Sequence, residues 1–223
     1  MIDWLTDIDT NLFFHINHCA SNGFFDWLMP ILRNKYTWIP LYLVVVALFI
    51  RKHKMHAIYV IGYALLCVLL ADQISAHVIK PLVGRLRPCN DPALQGLVHT
   101  LVDCGSGKSF VSSHAANHFA LGIYFIMNFA KPSNRFFVTL GFVFWAGLIC
   151  FASVYVGVHY PFDVLFGAFL GMGIGYGLGW ANRYTLCYRS GKFLWYDIEL
   201  LVLFHPFLLP LSRRNGRTHH PIP

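Results

Sequence analysis

Charge is what this sequence has least of. Asp, Glu, Lys and Arg make up 12% of its 223 residues, where a soluble domain carries about 25%. Acidic residues are the scarcer sign, 10 against 17 Lys and Arg, while 57% of the chain is hydrophobic, with 20 Phe, 11 Tyr and 6 Trp. So few charges cannot cover a water-exposed surface of that aromatic content. Disorder and collagen-like structure are excluded, a soluble single-domain enzyme is disfavoured, and the bilayer is the expected solvent. A basic n-region is also missing. Asp3, Asp7 and Asp9 stand where a cleavable signal peptide would be basic, so the first spanning helix is expected to direct insertion. Linkers and low-complexity blocks are absent, and the six cysteines show no metal-ligand spacing.

The expected fold class is all-α, a polytopic transmembrane helix bundle of about five spans. Apolar stretches at 36–50, 56–77, 115–130, 136–158 and 162–180 approach the roughly 20 residues that a crossing needs. Ahead of them Trp4, Leu5, Ile8, Leu12, Phe13 and Ile16 fall at helical spacing opposite the three aspartates, the pattern of an interfacial amphipathic helix. The chain reads as a single membrane domain. Residues 1–35 form the interfacial region, 36–180 the core and 181–223 a cytoplasmic or interfacial segment, with a membrane-surface stretch at 200–209 and a polar tail at 213–223.

The excess of seven positive charges would point to nucleic acid in a soluble protein, but here the cations lie between apolar stretches and no nucleic-acid partner is expected. Eleven (Arg51, Lys52, Lys54, Lys131, Arg135, Arg183, Arg189, Lys192, Arg213, Arg214, Arg217) follow spans one, three and five. Six (Arg33, Lys35, Lys80, Arg85, Arg87, Lys108) lie on the opposite face. The positive-inside rule puts the eleven in the cytoplasm, with the N-terminus and the loops after spans two and four outside.

Three stretches on that outer face can carry chemistry. Lys80, Arg85 and Arg87 crowd into eight residues and would repel one another unless an anion lies between them; anchoring to lipid headgroups is the alternative. Ser109, Ser112, Ser113 and His114 open span three, where free N–H groups and the helix dipole suit an oxyanion, or simply cap a helix. His159 precedes Pro161 and Asp163 at the start of span five, so the carboxylate can orient the imidazole as a nucleophile or base. An ordinary histidine cap is the alternative there.

Together these stretches resemble the type 2 phosphatidic acid phosphatase (PAP2) family. Lys80, Arg87 and Pro88 meet its first motif in full. Val111, Ser112, Ser113 and His114 stand for Pro-Ser-Gly-His, so only a serine and the histidine match. His159 and Asp163 meet the third motif, but Ala152 and Ser153 replace its Ser-Arg pair. The resemblance implies a PAP2/vanadium-haloperoxidase-like core and a phosphohistidine mechanism without metal or other cofactor. In that mechanism His159 attacks phosphorus, Asp163 holds its tautomer, and His114 protonates the leaving oxygen and then activates water. Lys80, Arg87, Ser112, and the N–H groups of Ser113 and His114 would hold phosphate oxygens. Arg85 and Lys108 are the two candidates to replace the absent arginine.

The resemblance further implies a lipid phosphate or diphosphate substrate, reached from the external face of a bacterial cytoplasmic membrane. Undecaprenyl diphosphate leads; phosphatidylglycerophosphate, phosphatidate and lipid A phosphates are rivals. Loss of the arginine at 153 keeps a degenerate, non-catalytic lipid-phosphate binder as the reading of another class. Partners are the lipid substrate and membrane lipids, with a monomer as the default. Cys89 and Cys104 flank the outer loop and could pair in an oxidising compartment or remain free thiols. Gly167, Gly171, Gly175 and Gly179 form a stripe permitting close helix packing, within the monomer or at a dimer seam.

Overall fold

The computed structural model describes residues 2–190, and every regular element among them is helical. The expected membrane-surface stretch at 200–209 and polar tail at 213–223 lie outside the described residues. In chain order the helices are α1 (Ile2–Phe14), α2 (Gly23–Arg33), α3 (Lys35–His53), α4 (Met55–Gln73), α5 (Lys80–Val83), α6 (Ser113–Phe129), α7 (Arg135–Tyr155) and α8 (Pro161–Ser190). Among the described residues three stretches are long and apolar enough to cross a membrane, Ala57–Val83, Arg135–Tyr155 and Pro161–Leu186. The counterparts of the expected first and third spans, α3 and α6, run 19 and 17 residues. Lys35, Arg51 and Lys52 lie near the ends of α3, and α6 bears His114, Asn117, His118 and Asn128, which dilutes their apolar character.

Local chemistry sets the helix ends. Asn22 opens α2 by accepting the Phe25 N–H at 3.0 Å, and Asn34 opens α3 through the Tyr36 N–H at 3.0 Å. The second expected span runs further than its apolar pattern. A wide π turn at Ile74–Ile79 joins α4 to α5, so Lys80 sits on a helix rather than in a loop. Pro81 is tolerated there because it falls at the start of a new helical segment. Gly84, at φ +68, then ends α5 by returning its N–H to the Lys80 carbonyl at 3.0 Å.

The N-terminal helix departs from the amphipathic reading. Phe13 is fully buried, but so is Asp9, whereas Trp4, Leu5 and Leu12 are exposed. Asp9 turns inward because two partners await it, the Arg85 guanidinium and the Phe162 N–H. The N-terminal region is also tied down through Asn17. Its side-chain amide donates to the His99 and Tyr155 carbonyls at 2.8 and 2.7 Å and its oxygen accepts the His99 N–H at 2.9 Å.

The glycine stripe of α8 is filled by α6 of the same chain. A Cβ at Gly167 would stand 2.5 Å from the Ser112 carbonyl oxygen, at Gly171 2.2 Å from that of Ala116, and at Gly175 2.3 Å from that of Ala120. These are backbone contacts with no side chain to give way. Gly171→Ala is therefore expected to destabilise the protein by about 1–3 kcal/mol, read as a lower unfolding midpoint in detergent. Gly173→Ala, whose Cβ meets nothing within 4 Å, should leave the midpoint near wild type, and equal midpoints for the two variants would contradict the packing.

Candidate active site

Three ends converge at one place: the end of α5, the start of α6 and the turn between α7 and α8. Gly157, at φ +86, reverses the chain after α7, and a Cβ there would meet Val98 Cγ1 at 2.8 Å, so glycine is needed for both space and conformation. His159 follows and is 2% exposed. Pro161 begins α8, placing Asp163 in its first turn.

Asp163 is fully buried and organises the site. Its Oδ2 accepts the Tyr160 N–H at 2.8 Å, accepts the Ser109 hydroxyl, and faces His159 Nδ1 at 3.6 Å. Ser109 Oγ also lies 3.4 Å from Nδ1. The Nδ1 edge of the imidazole is thus committed to Asp163 and Ser109, and Nε2 is the nitrogen left for chemistry. Burial pushes His159 down to about 4, Asp163 pulling the other way and Lys80 and Arg87 adding to the depression. The imidazole is therefore neutral near pH 7, with a lone pair available.

Arg85 is placed differently from the sequence expectation. It does not stand free as a substitute phosphate ligand. Its guanidinium bridges Asp163 Oδ1 at 2.9 Å and Asp9 Oδ2 at 2.7 Å and stacks 3.8 Å from the Tyr160 ring centroid. Burial pushes the Asp9 carboxyl above the usual range, against the opposing pull of the Phe162 N–H and Arg85. Two buried carboxylates share one guanidinium, a geometry for which arginine is suited and lysine is not. Lys108, the other candidate, is exposed. A cleft of about 560 Å³ lies beside Arg85, lined also by Thr6, Thr10, Leu86 and Leu94, but neither histidine borders it.

The second motif docks on the third. Ser112 caps α6 by accepting the Ala115 N–H at 3.4 Å and donates its own N–H to the Asp163 carbonyl at 2.9 Å. The Ser113 hydroxyl shares a hydrogen bond with Ser75 at 2.8 Å. The Ser112 hydroxyl expected on phosphate thus accepts a bond within the protein, while Ser113, expected to act through its N–H, has its hydroxyl engaged by Ser75. The Ser113 and His114 N–H groups precede the first bond of the helix, which Ala116 makes to Ser112 at 3.0 Å.

Arg87 donates to the Cys104 carbonyl. Its guanidinium passes so close to Gly107 that a Cβ there would stand 3.1 Å from Nη2, and its buried Nε has no hydrogen-bond partner. Burial lowers its pKa while Asp103 and Asp163 oppose the shift, and an arginine remains charged regardless. A disulfide joins Cys89 to Cys104 with Cα atoms 6.1 Å apart, holding the loop that carries Arg87. Ser153 is buried on α7 and donates to the Ile149 carbonyl at 3.0 Å.

Sequence reasoning missed Asp9, Ser75 and Asn17, read Ser109 as part of a helix cap or oxyanion site and not as a partner of Asp163 and His159, and read Arg33 as a topology signal. The serines had a local signal, since Ser109 lies within the quoted stretch before α6. Asp9 and Asn17 had none, because their partners are 153 and up to 138 residues away.

The PAP2 superfamily profile matches residues 58–186. Similar proteins include the lipid A 4′-phosphatase of Bacteroides thetaiotaomicron, 36% identical over 184 residues, covering 81% of this chain and 77% of that one. The lipid A 4′-phosphatase of Porphyromonas gingivalis is 28% identical over 182 residues, covering 78% and 73%. Two crystal structures share the fold. The first transmembrane PAP2 type phosphatidylglycerolphosphate phosphatase from Bacillus subtilis has a TM-score of 0.64 at 20% identity, over 81% of this chain and 87% of that one. Aquifex aeolicus LpxE has a TM-score of 0.56 at 22% identity, over 76% and 93%.

Proposed function

The chain belongs to the PAP2 superfamily, and from that premise we propose that it removes the 4′-phosphate of a lipid A-type glycolipid. It is an integral membrane lipid phosphatase, a hydrolase of phosphate esters. Lipid A moves ahead of undecaprenyl diphosphate, the leading candidate from sequence, because the two relatives described above are lipid A 4′-phosphatases. The cation distribution supports an active site on the external face of the cytoplasmic membrane.

The observation that carries the chemistry is His159 held at Nδ1 by Asp163 and Ser109 beside a group of cations. In the first step the Nε2 lone pair attacks phosphorus, the bond from phosphorus to the sugar oxygen breaks, and His114 gives that oxygen a proton. Burial and the neighbouring cations hold His114 down to about 3, so it takes up that proton only as the negatively charged phosphate enters and offsets those cations. In the second step His114 takes a proton from water, the water oxygen attacks phosphorus, and the bond from phosphorus to Nε2 breaks, releasing inorganic phosphate. Lys80, Arg87 and the N–H groups of Ser113 and His114 stabilise the charge on the phosphoryl oxygens. Asp163 and Arg85 act through His159, positioning it.

The test is phosphate release by the full chain in detergent, measured on lipid A, undecaprenyl diphosphate, phosphatidylglycerophosphate and phosphatidate, with and without chelator. The highest kcat/KM is expected on lipid A, with its product lacking the 4′-phosphate and chelator without effect. Faster turnover of undecaprenyl diphosphate would overturn the substrate assignment. No release from any of the four would leave the non-catalytic binder as the reading.

A further inference from the structure

A cation that no motif accounts for lies close enough to the site for its charge to act on His114 and Lys80. Arg33 ends α2, ahead of residues 58–186 that match the superfamily. Its position follows from packing on both sides. Met29, one turn earlier, is 1% exposed and clusters with Ala152, Tyr155 and Val156 near the end of α7, and Leu32 packs on the same cluster. The Leu32 carbonyl accepts the Trp38 indole N–H at 2.8 Å. Trp38 meets Trp145 edge-on at 5.7 Å, Trp145 meets His118 at 4.8 Å, and His118 stacks parallel to His114. The end of α2 is thereby seated against α7 and α3, and is linked through Trp38 and Trp145 to the His114 side of α6.

The surroundings of the guanidinium are wrong for a structural arginine. Its Nε is buried without a hydrogen-bond partner, and among the described residues no carboxylate forms an ion pair with it. The charges it feels are of its own sign. Burial and then Arg87 push Arg33 down to about 10. Arg33 also exerts the largest charge effect on His114, ahead of Lys80. The two buried carboxylates nearby, Asp9 and Asp163, are occupied by Arg85. Three cations, Arg33, Lys80 and Arg87, thus act on one another across partly buried space; Asp72, Asp103 and Asp163 offset part of the charge on Lys80 and Arg87, but among the described residues none of the three cations is in an ion pair. Such a cluster is unfavourable until an anion enters it.

We propose that Arg33 is a phosphate ligand of this active site, delivering from α2 the guanidinium that α7 lacks where Ser153 stands. The inference rests on the phosphatase reading above and adds a binding residue from outside the motif-bearing segment. Arginine suits the task because its planar fork can engage two phosphoryl oxygens at once. The side chain reaches the site from the neighbouring helix, so the substitution at 153 does not cost the site a positive charge.

The test compares wild type, Arg33→Gln and Arg33→Lys as full chains in detergent, reading kcat, KM, inhibition by orthovanadate, and the unfolding midpoint. Arg33→Gln is expected to lower kcat/KM about 100-fold, in the range for removal of an oxyanion donor. Vanadate inhibition should weaken by about tenfold or more, while the midpoint stays near wild type. Arg33→Lys, keeping the charge without the fork, should recover part of both losses. Should Arg33→Gln fail to fold, Arg33→Lys decides. Weakened vanadate inhibition at a wild-type midpoint supports the ligand role, and unchanged inhibition overturns it. Arg33→Gln matching wild type in turnover and inhibition overturns the inference and leaves the phosphatase reading intact. A wild type that turns over no lipid phosphate, but binds vanadate in an Arg33-dependent way, overturns the phosphatase reading and leaves the ligand assignment standing.

Discussion

Exchange of His159 for alanine is expected to reduce phosphate release by about 10⁴-fold or more, since no other group can take over a covalent step. The nitrogen lost is the one left free when Asp163 and Ser109 occupy the other edge of the ring. A covalent intermediate gives this prediction a second readout. Wild type quenched in alkali during turnover should carry substrate phosphate on a histidine, and His159→Ala should carry none. Label retained by His159→Ala would transfer the nucleophile to another residue. The pH dependence follows from burial. His159 is held down to about 4, so the neutral, nucleophilic form persists as pH falls until that value is approached, and only below it does the proton remove the lone pair. The acidic limb of kcat/KM assigned to His159 should therefore lie near pH 4 and not near the usual histidine value of about 6.5.

Arg85→Ala should produce the largest loss of stability among single substitutions at the site. The guanidinium is the one counter-charge shared by Asp9 and Asp163, both essentially inaccessible to solvent. Removing it leaves two carboxylates buried and repelling, at a cost of about 3–5 kcal/mol. Arg85→Lys should recover only part, because a single ammonium cannot match both carboxylates and stack on Tyr160. Coupling gives the sharper check. Adding Asp9→Asn to Arg85→Ala should cost less than the sum of the single changes, since the first loss has already broken the contact that the second removes. Strict additivity in unfolding midpoints, or an Arg85→Ala midpoint equal to wild type, would sink the shared-guanidinium account. Activity should fall in Arg85→Ala as well, because Asp163 would no longer be held against His159.

Much of this architecture is legible in the sequence, and the parts that are not share a physical reason. The helices appear where apolar runs predict them, and Lys80, Arg87, His114, His159 and Asp163 meet at one end of the bundle, as their positions relative to the spans imply. Local pattern fails where a residue answers to distant partners. Asp9 reads as a solvent-facing charge because nothing within a helical turn announces Arg85. Arg33 reads as an interfacial cation because its meaning depends on α2 packing against α7. Lys80 reads as a loop residue because proline follows it, yet a wide turn ahead of it starts a fresh helical segment in which that proline is harmless. Arg85 reads as a phosphate ligand because cations cluster around it in sequence; in space it faces the two carboxylates.

The hydrogen bond from the Phe162 N–H to Asp9 also sets an order of assembly. The two residues are 153 positions apart, so at synthesis rates of about 5–20 residues per second Asp9 is made roughly 8–30 s before its last partner exists. Arg85 supplies a counter-charge part-way through that interval, but the second hydrogen-bond partner comes only with Phe162, so α1 cannot complete its contacts until α8 begins. Helix α1, made before the other described helices, is therefore among the last of them to lock. Its seating is coupled to the start of α8, the same event that brings Asp163 up to His159 and completes the site.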